Sequence, residues 1–132
     1  MIGIDTNVLV RYITQDDEKQ TEQANQFIDN IINSENSALI SKIVLCELTW
    51  VLSQAYGYSR KQIAGVIQQI LVTQEFTVED TENALKALQV YQKGNAGFAD
   101  YFLAQTHLAM GAEYTVTFDK KALKSKLFHP VL

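Results

Sequence analysis

The chain has one cysteine, one proline and only six glycines in 132 residues. A single thiol, Cys46, rules out an intrachain disulfide and a thiolate metal cage, which fits a reducing, cytoplasmic setting. So little proline and glycine argues against linkers and disordered tracts. No apolar run approaches the roughly 20 residues needed to span a bilayer. The start also lacks the basic residues and cleavage site of a secretory signal, because Met1 leads straight into a strand-like run carrying Asp5. Positive charge is not in excess either. Eleven Lys and Arg stand against fifteen Asp and Glu, a net charge of −4. That disfavours a broad basic nucleic-acid surface and permits a local one.

What remains reads as one α/β domain over 1–132, with strands and helices in alternation. Strands are expected at MIGID, SALIS, FTV and EYTVTF, with HPVL as a further edge strand. Helices are expected over TNVLVRYI (capped by Thr6 or Asn7), 16–34, 42–56, 59–72, 79–95 and 97–111, followed by a short basic helix at DKKALKSK. Such alternation predicts a mainly parallel central sheet of four to five strands covered by helices on both faces.

Carboxylates fall in unexpected places within this pattern. Asp5 in MIGIDTNVLV, Glu47 in IVLCELTWVL and Asp100 in GFADYFLA sit alone in apolar segments almost without Lys or Arg. An unpaired buried carboxylate costs several kcal/mol, so burial is expected to be offset by something other than protein, most simply a divalent cation. Asp119 follows the EYTVTF strand. In open parallel sheets the functional crevice lies at the carboxyl ends of the strands, and all four acids map to that edge. Hard oxygen donors suit Mg²⁺ or Mn²⁺. Each acid also has a plainer reading. Asp5 and Asp119 can cap helices and Asp100 can stabilise a helix N-terminus, whereas Glu47 has no cation at i±3 or i±4.

The segments DTNVLVRY, ISKIVLCEL, FADYFLA and TFD, in this order, resemble the four motifs of PIN-domain nucleases. Length and spacing are similar to those of VapC-type toxins of bacterial toxin–antitoxin pairs. The resemblance implies a Mg²⁺-dependent endoribonuclease acting on RNA, with Asp5, Glu47, Asp100 and Asp119 as the catalytic acids and a separate antitoxin as partner. It also implies that Asn7 and Thr117 brace that set. Many relatives carry a further acid two residues after the position of Asp119, where this chain has Lys121 followed by Ala122. A second metal site is therefore the weaker expectation. Asp5 and Asp100 are the expected direct metal ligands, with Glu47 and Asp119 acting through water or a second ion.

Other residues attract simpler readings. His107 is expected to be structural and Cys46 a small buried hydrophobe. Lys120, Lys121, Lys124 and Lys126 form the one basic cluster and, with Arg11, are candidates for RNA contact. Asp16, Asp17, Glu18, Glu79, Asp80 and Glu82 read as helix-start charges without a site role. Apolar surface around Trp50, Val51, Tyr56 and Tyr58 exceeds what a core of this size needs, so a homodimer is expected. The competing function is a Mg²⁺-binding phospho-acceptor signalling domain, which requires an acceptor Asp after a central strand. A non-catalytic scaffold of the same fold is the third reading.

Overall fold

Local signals start and stop the helices in the computed structural model, which describes residues 1–132. Asp5 leaves the strand β1 (Ile2–Gly3) and caps α1 (Thr6–Thr14), so the cap is Asp5 rather than Thr6 or Asn7. Asp17 caps α2 (Glu18–Ile32) by accepting the Gln20 N–H at 2.9 Å. Ser41 caps α3 (Lys42–Gln54), and Ser59 closes a reciprocal box with Gln62 at the start of α4 (Arg60–Val72). After α3 the chain turns through Gly57 at φ +67°, a conformation that favours glycine. Then follow β3 (Phe76–Val78), α5 (Thr81–Lys93), α6 (Phe98–Ala109) and β4 (Thr115–Thr117).

Five parallel strands form, in two groups. The first has the order β1-β2-β3, with β2 (Ala38–Ile40) in the middle, Gly3 opposite Leu39, and Ile40 opposite Val78. The second pairs β4 with β5 (Phe128–Pro130), Thr115 opposite Phe128. The α/β architecture is as the sequence predicts, but the ladder is not continuous. β1 has only two residues before the chain leaves the sheet to cap α1, which leaves little length to pair on both edges. The basic segment after Asp119 is shorter than expected as well. It is a single 3-10 turn, Ala122–Lys124, pinned by buried Ala122.

The core is filled by Leu9 and Val10 of α1, Leu45, Leu48 and Leu52 of α3, Ile63 and Ile67 of α4, and Phe98, Tyr101 and Phe102 of α6. Packing of this kind leaves one face of α3 uncovered. Ile43 is 71% and Trp50 67% exposed, so α3 is not the all-round buried helix that its composition suggests. Tyr56 and Tyr58 instead pack edge to face against each other and onto the core.

Candidate active site at the carboxyl edge of the strands

Asp5 and Asp119 sit just beyond strands, Asp100 in the first turn of α6 and Glu47 midway along α3, but their burial differs from expectation. Asp5, Glu47 and Asp119 are exposed, and only Asp100 is half-buried. Apolar neighbours in sequence did not bury them, because the neighbours point inward while the carboxylates occupy helix ends or the uncovered face of α3. Glu47 lies on that face, one turn from Ile43 and near Trp50. Asp5 Oδ1 accepts the Thr6 N–H at 2.7 Å, so the capping role is real. Directly behind it, Thr6 Oγ1 is the one buried side-chain polar atom without a hydrogen-bond partner.

Asp100 and Asp119 are the two acids whose charges interact. Burial raises the Asp100 pKa above the ordinary carboxylate value; the Gly97 N–H, donating to Oδ2 at 3.2 Å, opposes this, and repulsion from Asp119 adds to it. No Lys or Arg forms a salt bridge with either. Asp119 is held by its own turn: its N–H donates to Thr117 Oγ1 at 3.0 Å and its Oδ1 accepts the Lys121 N–H at 2.9 Å. Thr117 thus braces the Asp119 loop, whereas the exposed Asn7 side chain makes no hydrogen bond to any acid.

No three His, Cys, Asp or Glu side chains lie close enough to enclose an ion. Zinc-type enclosure is therefore not what this site offers. Mg²⁺ makes a different demand: it keeps several waters and takes one or two carboxylates. Half-buried Asp100, an oxygen donor with no salt bridge, fits the part of one such carboxylate, and the nearby Asp119 charge adds to the attraction for a cation.

Three interactions missed in the sequence position this edge. Arg60 stacks on Tyr91, 4.0 Å from the ring centroid, and donates to the Tyr91 carbonyl at 2.9 Å and to the Ala96 carbonyl. The Tyr101 hydroxyl accepts the Asn95 and Ala96 N–H groups at 3.1 and 3.2 Å. A Cβ at Gly94 would meet that hydroxyl, so only glycine lets the loop approach. Together they fix the loop 94–97 that delivers the Gly97 N–H to Asp100. Lys42 is the third. Its N–H donates to Glu79 Oε1 at 2.9 Å and its Nζ pairs with Asp80 Oδ2 at 2.9 Å. Glu79 and Asp80 therefore anchor the start of α3 rather than merely charging the start of α5.

The remaining candidates separate clearly. His107 Nδ1 is 2.8 Å from Thr115 Oγ1 and ties α6 to β4, a structural role. Burial pushes the Cys46 thiol up to about 11, with a lowering from Lys42 and a further rise from Asp100. Arg11 is engaged with Asp16 at 2.8 Å, Gln20 at 2.7 Å and Tyr56 at 2.9 Å. Lys120, Lys121, Lys124 and Lys126 are exposed and free of salt bridges.

A VapC ribonuclease of Aquifex aeolicus (strain VF5) is 26% identical to this chain over 121 residues, covering 92% of this chain and 89% of that protein. The PIN domain family model matches residues 2–126, a span that includes all four acids. The chain belongs to the PIN-domain family.

Proposed function

We propose that this protein is a Mg²⁺-dependent endoribonuclease and the toxin of a type II toxin–antitoxin pair. The observation that carries the reading is the Asp100–Asp119 pair, uncompensated by any protein cation, at the site edge of a PIN domain. The similarity to a VapC ribonuclease supports RNA as the substrate, and the VapC-type motif order and spacing support the toxin role. Asp100 and Asp5 would hold the ion, with Glu47 and Asp119 acting through water or a second ion. When bound, Mg²⁺ supplies charge neutralisation at the phosphoryl oxygens and an acidified water for in-line attack. The chain's own part is to hold Asp100 rigidly, through Gly97 and the Arg60–Tyr101 loop clamp, and to hold Asp119 through Thr117. Lys120, Lys121 and Lys124 present free ammonium groups beside Asp119 for the RNA backbone.

The phospho-acceptor alternative lacks its acceptor. Central strand β2 is followed by Ser41, whose hydroxyl is committed to the Val44 N–H at 3.2 Å. The ribonuclease reading also makes the protein a cytoplasmic homodimer, with the surface around Trp50 and Val51 at the far end of α3 as the contact, under control of an antitoxin protein whose Arg pairs with the acids. Induced expression of the chain in bacteria should arrest growth and degrade RNA, while Asp100→Asn should let growth continue. Unimpaired growth at high levels of soluble wild-type protein would count against the toxin role.

A further inference from the structure

A groove of about 540 Å³ opens beside Asp5, between the β1–α1 corner and α2. Its floor is apolar, formed by Val8, buried Ala24 and the half-buried Phe27 ring, and its rim carries Asn7, Arg11, Gln20 and Gln23. Asp5 is its one carboxylate. The larger cavity on the other side of α2, about 820 Å³, is lined by Asp16, Glu18, Glu22 and Asp29 with no apolar residue. The second, with four carboxylates, repels a polyanion, whereas the first sets one carboxylate against one guanidinium.

The rim chemistry is more specific than polarity alone. A guanidinium can only donate, so the Arg11 Nε bond at 2.7 Å fixes the oxygen of the Gln20 amide toward Arg11. Nη1 of Arg11 is spent on Asp16 and Tyr56. Two donors are left without protein partners, Nη2 of Arg11 and Nε2 of Gln20, on side chains already bonded to each other. An apolar floor with an aromatic ring and a paired-donor edge matches a purine with two adjacent acceptors. Guanine offers that pair as O6 and N7, whereas adenine presents a donor at N6. We infer that the groove is a guanine-preferring base subsite for the RNA nucleotide next to the scissile phosphate. The inference rests on the ribonuclease reading for its substrate, and on the Arg11–Gln20 arrangement for its base.

The test is a titration of ¹⁵N-labelled full-length protein with GMP, AMP, CMP and UMP, without any cleavage step. GMP should shift the Gln20, Gln23 and Phe27 amide signals and bind about fivefold or more tighter than AMP, the discrimination expected of a good base-edge pair. Gln20→Leu, at an exposed helix position, should erase the GMP preference, and Phe27→Leu should weaken all four nucleotides. GMP binding by a protein that cleaves no RNA would sink the ribonuclease reading and leave the subsite standing. No shift in the groove at saturating GMP, or equal shifts and equal affinity for all four nucleotides, would overturn the subsite.

Discussion

Burial and the neighbouring Asp119 both disfavour a charge on Asp100, and one Gly97 N–H does not cancel them. A carboxylate whose pKa is raised on folding supports stability below its ordinary pKa and loses that support as pH rises through the raised value. Asp100→Asn should therefore melt higher than wild type at pH 8 in the absence of metal, with the gap closing by pH 4. Thermal melts at both pH values check this, and a wild type more stable than the variant at pH 8 would contradict the repulsion. Mg²⁺ should raise the wild-type Tm and leave Asp100→Asn almost unmoved. At the same scale, Cys46, with its pKa pushed up to about 11, stays a neutral thiol. Iodoacetamide at pH 7.5 should label it far more slowly than free cysteine, whereas labelling at the free rate would mean the thiol is activated. The candidate acids stand out in the sequence by their isolation among apolar residues. Their exposure was not, because sequence neighbours along a helix end point in different directions from the carboxylate itself.

Helix periodicity located all six helices to within about two residues, since each buries a clear stripe and most begin at a Ser, Asp or Gly. The open face of α3 departs from the sequence expectation for a physical reason. Ile43 and Trp50 extend the apolar pattern round the helix, and composition alone does not distinguish a fully buried helix from one that keeps an apolar seam open to solvent. Strands of two or three residues carry too little pattern to reveal that β4 and β5 pair apart from β1. Arg60 was invisible for another reason. Its partners are carbonyls more than thirty residues away, and nothing in sequence marks a carbonyl that needs a donor. Arg60→Met keeps the stem but strands the buried Ala96 carbonyl and leaves the Tyr91 carbonyl only the Gly94 N–H at 3.3 Å, at about 1–3 kcal/mol for the lost bonds. Urea denaturation should show that loss, and amide exchange should quicken at Asn95 and Ala96. Unchanged exchange there would mean that Tyr101 alone holds the loop, and that Arg60 plays no part in positioning Asp100.

Exposed Trp50 at the far end of α3, with Val51 beside it, is expected to be shielded by a second copy of the chain. Light scattering should give twice the mass of 14.9 kDa, and Trp50→Glu should return the monomer with the fold intact by circular dichroism. A monomeric wild type at tens of micromolar would remove the dimer. The central claim, that the acidic edge hydrolyses RNA through a divalent ion, has a more direct test. The initial rate of cleavage of a fluorogenic RNA should be measured across a Mg²⁺ titration for wild type and Asp100→Asn. The rate should saturate with Mg²⁺, vanish in EDTA and fall at least about a hundredfold in the variant, the usual cost of removing a group that stabilises transition-state charge. Cleavage that persists in EDTA, or an Asp100→Asn variant as fast as wild type, would contradict it.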